Sequence, residues 1–160
     1  MRRKEKGERR KAVILVSGGM DSCVTAATAI KDGYQPAFLH INYGQRTESR
    51  ELKAFNKIAD HYQVEQKLVV DISHLSEIGG SCLTNENIEV PDADLESDDI
   101  PISYVPFRNA NILATASSWA EVLGAKAIYV GAVEEDSSGY PDCRRSVFDA
   151  FEHTIDTGTK

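Results

Sequence analysis

Ser17-Gly18-Gly19-Met20-Asp21-Ser22 is the stretch that decides the fold, because of what flanks it. Before it, Ala12-Val13-Ile14-Leu15-Val16 is an unbroken apolar run, the pattern of a strand buried on both faces. After it, Val24-Thr25-Ala26-Ala27-Thr28-Ala29-Ile30 is small and apolar and runs into Lys31-Asp32-Gly33, a helix stop. A Ser/Gly turn between a strand and a helix leaves backbone N–H groups unpaired at the positive end of the helix and adds hydroxyl donors. Those are the parts of a phosphate cradle. The common P-loop ends in Gly-Lys-Ser/Thr, and no lysine lies in this turn, so the grip on phosphate has to be of another kind.

The rest of the chain alternates in the same way. Ala37-Phe38-Leu39-His40-Ile41-Asn42 predicts a second strand, and 48–62 a helix with Leu52, Phe55, Ala59 and Tyr62 on one face. Lys67-Leu68-Val69-Val70 predicts a third strand. The helical spacing of Ile112, Leu113, Ala116, Ala120 and Leu123 predicts a helix over 109–123, closed by Gly124. Ala127-Ile128-Tyr129-Val130 predicts a fourth strand, and 145–157 a last helix with Val147, Phe148, Phe151 and Ile155 facing in. The fold class is therefore α/β: a doubly wound, mostly parallel sheet with helices on both faces and right-handed crossovers. The stretch from Asp71 to Arg108 breaks the pattern and reads as a lid or substrate loop with a short helix over 73–78. Each polar cluster follows a strand, and in open α/β sheets that is the edge where ligands bind.

Composition narrows the function classes. A chain of 160 residues is large enough for one domain with a sizeable core. No apolar stretch approaches a membrane span or a secretory leader, so a cytoplasmic location is expected. The net charge of −7 argues against a nucleic-acid surface over the body of the protein. The basic residues crowd into 1–11, read either as an RNA-gripping arm or as a solvated extension; residues 1–10 are set aside as that extension and 11–160 as the nucleotide-binding domain. Residues 86–99 are rich in acids, hold no Lys or Arg, and read as an exposed loop. Cys23, Cys82 and Cys143 are widely spaced and suggest neither a disulfide framework nor a zinc site. His40, His61, His74 and His153 show no ligand spacing, and His40, inside a buried strand, reads as a satisfied core residue.

SGGMDS resembles the PP-loop of the ATP pyrophosphatases (the adenine nucleotide alpha-hydrolase-like fold), enzymes that hold ATP for cleavage between its α- and β-phosphates. Four further stretches sharpen the resemblance: Asn42-Tyr43-Gly44-Gln45-Arg46, Ile88-Glu89-Val90-Pro91-Asp92, Val105-Pro106-Phe107-Arg108-Asn109 and Ser138-Gly139-Tyr140-Pro141-Asp142-Cys143-Arg144. Their order and spacing from about Lys11 onward resemble the 7-cyano-7-deazaguanine synthases of queuosine biosynthesis. Met20 and Phe107 depart from the usual forms of their motifs, at positions expected to make no obligatory side-chain contact.

The resemblance implies an ATP-dependent ligase that turns 7-carboxy-7-deazaguanine and ammonia into 7-cyano-7-deazaguanine through adenylated intermediates, with Mg²⁺. It places ATP on Val16, Ser17, Gly18, Gly19, Met20, Asp21, Ser22 and Cys23, with the Ser17 and Ser22 hydroxyls on the β- and γ-phosphates. Asp21 either caps the helix or reaches Mg²⁺. Arg108, beside Asp21 a candidate catalytic residue, suits the substrate carboxylate or an ATP phosphate, or else forms a surface ion pair. Tyr43, Gln45, Arg46, Asn109, Tyr140, Asp142 and Arg144 are the remaining substrate-binding candidates. Tyr140 either stacks on the deazapurine or only stiffens a turn, and Asp142 is placed to accept from the ring's amino group. Arg108 and the turn at 140–142 are expected to line one pocket facing the phosphate loop. Cys143 is either a nucleophile or inert.

Members of that family are usually homodimers and carry a cluster of four cysteines that binds zinc. No such cluster lies in these 160 residues, so an incomplete, zinc-free, weak or inactive synthase is expected. Three rivals stand beside this reading. A tRNA-thiolating PP-loop enzyme needs paired cysteines and an RNA-binding surface. An amide-forming synthetase would share SGGMDS but not SGYPDCR. A non-catalytic module would bind ATP without turnover.

Overall fold

The computed structural model describes residues 10–84, 100–132 and 139–160. The basic residues before Arg10, the acidic run 86–99 with its 88–92 motif, and Ser138 lie outside the described residues. In chain order the elements are β1 (Lys11–Leu15), α1 (Met20–Lys31), β2 (Gln35–Asn42), α2 (Glu48–His61), β3 (Gln66–Asp71), α3 (His74–Ile78), α4 (Arg108–Leu123), β4 (Ala127–Tyr129) and α5 (Arg145–Gly158).

The four strands form one parallel sheet in the order β3-β2-β1-β4. Ile14 lies opposite Phe38 on one side and Tyr129 on the other, which makes β1 the innermost strand with β2. Side chains alternate across a strand, so β1 supplies two cores. Ala12, Ile14 and Val16 pack with Phe38 against Ala26 and Ala29 of α1 and Phe55 and Ala59 of α2. Val13 and Leu15 pack with Leu39 and Ile41 against Leu113, Ala116 and Ala120 of α4. The alanines of α1 and α4 let each helix lie close on the sheet. The chain winds from β1 out to β3 and returns to β4 on the far side of β1. That reversal opens a crevice between the carboxyl ends of β1 and β4.

The helix stops behave as their residues dictate: Gly33 and Gly124 take positive φ just past the ends of α1 and α4. Two expectations need correction. Met20, Asp21 and Ser22 already belong to α1, so the turn after β1 is shorter than the motif. In α5, Phe148 and Phe151 reach the core's edge but none of the helix's residues is buried. A groove of about 920 Å³, lined among others by Ala120, Ile128, Phe148, Phe151 and Ile155, separates α5 from α4 and β4.

Candidate active site

The turn after β1 is held from inside. Ser22 Oγ accepts from Gly18 N–H (3.0 Å) and donates to Gly19 O (2.8 Å), closing the loop onto the first turn of α1. Gly18 has φ +97° and presses on α2: a Cβ there would lie 2.6 Å from Ala54 Cβ and 2.9 Å from the Glu51 carbonyl oxygen. Gly19 differs. Its φ is −79°, and a Cβ there would meet nothing nearer than Ser17 Oγ at 3.6 Å. Ser17 is exposed at the loop's lip, its Oγ accepting from Gly19 N–H at 3.3 Å. The α1 N-cap is Gly19 with no side-chain cap, so the capping alternative for Asp21 falls; Asp21 sits exposed in the first turn. Met20 points to solvent and Cys23 is half-buried.

A cleft of about 310 Å³ opens over this loop. Val16, Ser17, Gly19, Asp21 and Ser22 line it from one side, and Tyr43, Arg108 and Asn109 from the other. Arg108, at the start of α4, donates from Nη1 to the Tyr43 hydroxyl at 3.3 Å and holds its guanidinium carbon 5.2 Å from the centre of that ring. Burial holds the Tyr43 phenol above its ordinary pKa; Arg108 pulls it down, while Glu51 and Tyr140 add to the rise. The cleft thus carries a cation, a phenol and the free N–H groups of a helix start around one space.

The other candidates take different places. Gln45 is buried and committed: its Oε1 accepts from Tyr43 N–H (2.8 Å) and its Nε2 donates to Glu51 Oε2 (3.1 Å), so it braces Tyr43 from behind. Arg46 is exposed beyond it. Tyr140 pairs its hydroxyl with Ser103 Oγ at 2.7 Å, lies near Tyr104 and is felt by the Tyr43 phenol, but neither it nor the rest of the 140–142 turn lines the cleft with Arg108. Asp142 turns inward, 3% exposed, and accepts from Asn109 N–H at 2.8 Å. The structure therefore brings Arg108 to the phosphate loop but aims the Asp142 carboxylate at α4 instead of the cleft. Arg144 precedes α5 and lines the large groove. Cys143 is buried and accepts from Asn109 Nδ2 at 3.1 Å. Among the described residues no group of three or more His, Cys, Asp or Glu side chains is placed to hold a metal, and no helix is long and apolar enough to cross a membrane.

The family model described as queuosine biosynthesis protein QueC matches residues 11–160. The chain belongs to this family. Among curated relatives, proteins named 7-cyano-7-deazaguanine synthase are similar to it over 94% of its length: 58% identical in Chlorobium phaeobacteroides, 58% in Chlorobaculum parvum and 60% in Chloroherpeton thalassium. The chain spans 66% of the length of each of these relatives, just under two thirds.

Within this QueC-family cleft, several lining residues stand outside the candidates read from the sequence, among them Glu51, Ile112 and Gly131. Glu51 stands one turn before Phe55 on α2, and its carboxylate accepts from Thr47 Oγ1 and Gln45 Nε2 while facing the loop. The signal was the i, i+4 relation to Phe55, which sets Glu51 toward the sheet's edge. Ile112 follows Arg108 by one turn and lines the same wall. Gly131, just past β4, lies where a Cβ would sit 2.8 Å from Thr25 Oγ1 and 3.2 Å from the Asp21 backbone. That close approach belongs to the β1/β4 crevice, and strand order is not written in the sequence.

Proposed function

We propose that this protein takes part in queuosine biosynthesis as an ATP-dependent carbon–nitrogen ligase, converting 7-carboxy-7-deazaguanine and ammonia to 7-cyano-7-deazaguanine. Membership of the family and the names of the relatives supply the substrate class. Gly19 carries the ATP part of the reading. Neither its φ nor any neighbouring atom of the chain demands glycine, so the space over it is kept for something else. At the N-terminus of α1, that something is anionic.

The chemistry asks for what the cleft offers. A carboxylate is a poor electrophile because its leaving group would be oxide. Transfer of AMP gives an acyl adenylate, from which ammonia displaces AMP to form an amide. A second adenylation, on the amide oxygen, lets that oxygen leave and yields the nitrile. The Met20 backbone N–H and the Ser17 hydroxyl hold the β- and γ-phosphates, joined by the Gly19 N–H when it exchanges Ser17 Oγ for a phosphate oxygen, while Ser22 shapes the loop. Arg108, braced by Tyr43, meets either the substrate carboxylate or the α-phosphate with its planar fork. Mg²⁺ neutralises phosphate charge when bound. Among the described residues, Asp21 and Glu51 are the carboxylates that line the cleft, and one or two carboxylates with phosphate oxygens are the usual donors for that ion. Tyr140, outside the cleft's lining but felt by the Tyr43 phenol, stands on the side toward the heterocycle.

Pyrophosphate release by the purified chain with MgATP tests the reading. Release that requires both 7-carboxy-7-deazaguanine and ammonia, with the nitrile as product, is expected. Release with a tRNA substrate instead would favour the thiolation chemistry. ATP binding without release under any of these conditions would leave a binding module.

A further inference from the structure

His40 is the one imidazole in the sheet, 1% exposed, at the carboxyl half of β2. Its ring lies 5.2 Å from the Phe55 ring, centre to centre, and its Nδ1 is 2.9 Å from the Val16 carbonyl oxygen. A carbonyl only accepts, so Nδ1 carries the proton of that bond. The other nitrogen, Nε2, is buried and has no hydrogen-bond partner among the described residues. Either protonation state of Nε2 leaves it unsatisfied: a lone pair without a donor, or an N–H without an acceptor. The ring is therefore only half satisfied, and a leucine of similar volume would remove the unpaired Nε2 while leaving the buried Val16 carbonyl without its donor.

Something other than packing favours histidine here, and its single bond shows what. Val16 is the last residue before the phosphate loop, and its N–H makes the final rung to Leu39 O at 2.9 Å. The carbonyl of Val16 belongs to the peptide unit whose N–H is that of Ser17. In a planar trans peptide these two groups point in opposite directions. Fixing the Val16 carbonyl on His40 therefore aims the Ser17 N–H away from the α2 layer, and Val16 and Ser17 both line the cleft. We propose that His40 is a positioning residue for the phosphate loop, which leaves Nε2 unpaired in exchange for a fixed orientation of the Val16–Ser17 peptide. The inference rests on the reading that this loop holds the phosphates of ATP. The same imidazole packs on Phe55, whose backbone nitrogen would be 3.3 Å from a Cβ at Gly18. One side chain thus abuts both the entry to the loop and the helix against which the loop rests.

Three replacements separate orientation from packing. His40→Asn places an amide N–H near the position of Nδ1, His40→Gln carries its amide out toward Nε2, and His40→Leu removes the donor. MgATP affinity by calorimetry and melting temperature are read on the whole chain. His40→Leu and His40→Gln are expected to weaken MgATP binding by about tenfold or more, with His40→Asn within about threefold of the parent. His40→Leu removes the unpaired Nε2 but leaves the Val16 carbonyl without its donor, so its melting temperature is expected to stay within a few degrees of the parent's. Parent-like affinity in His40→Leu, or His40→Asn as weak as His40→Leu, would overturn the proposal. Should His40→Leu fail to fold, the Asn and Gln pair decides by the same comparison. A parent chain that binds no MgATP would instead overturn the phosphate-loop reading, and the role of His40 with it.

Discussion

Adding a methyl group at Gly18 sets a Cβ against Ala54 and the Glu51 carbonyl at a φ of +97°, whereas at Gly19 it enters open space. Gly18→Ala should then lower stability by roughly 2–4 kcal/mol, from left-handed strain plus overpacking. Gly19→Ala should change stability by less than about 1 kcal/mol and yet weaken MgATP binding. Urea denaturation beside calorimetric titration checks both; a Gly19→Ala chain that binds as tightly as the parent would remove the phosphate path from above Gly19. Phe107 poses the opposite case. It holds φ +56° without being glycine, and its ring is 62% exposed, so little packing offsets the strain. Phe107→Gly is expected to raise stability by about 1 kcal/mol, read as a higher urea midpoint. A lower midpoint would mean that the ring makes a contact worth more than the backbone strain.

The element these residues introduce, α4, starts without a cap of its own, Phe107 having no side chain that accepts a hydrogen bond. The missing acceptor comes from Asp142, 33 residues downstream, which takes the Asn109 N–H, while Asn109 Nδ2 reaches back to the Asp142 carbonyl at 3.4 Å. The turn at Pro141–Cys143 is thereby tied to the helix that carries Arg108. Asp142→Ala should cost about 1–2 kcal/mol as a lost cap, while Asp142→Asn, which keeps an acceptor, should recover most of it. Thermal melts of the two variants check this, and equal losses would mean that the negative charge, not the hydrogen bond, is what α4 needs. The helix is legible in the sequence but its cap is not, because periodicity is local and a cap supplied from a distant turn is not. At Phe107 the side chain gives no signal, because the constraint at that position is on the backbone. Gln45 shows a related limit: an amide at a strand's end reads as a binding group, and only the fold reveals that Tyr43 and Glu51 take both ends of it.

Across the molecule, the same physics that made the strands legible sets where stability resides. An unbroken apolar run announces β1, and a run interrupted only by His40 announces β2, because both faces of those strands are covered and the two cores meet at them. What the runs could not reveal was the order β3-β2-β1-β4, which depends on the direction of each crossover and decides that Gly131 closes on Asp21. Order and burial together predict a gradient. Phe55 is 1% exposed and packs on both His40 and Phe38. Phe55→Ala should cost about 3–5 kcal/mol, whereas Phe151→Ala, from a helix with no buried residue, should cost clearly less. Amide hydrogen exchange should follow the same gradient, slowest in β1 and β2 and faster in α5, which opens without disturbing either core. The phosphate loop grows out of β1, the most protected strand, and leans on α2 at Gly18, so its geometry should survive fluctuations of α5. The check is to measure MgATP affinity in Phe151→Ala: it should stay within about twofold of the parent, since Phe151 lines the groove beside α5 and not the phosphate cleft. A large loss of affinity there would show that the α5 side of the sheet and the phosphate cleft are coupled through α4, the helix that carries both Arg108 and the wall facing α5.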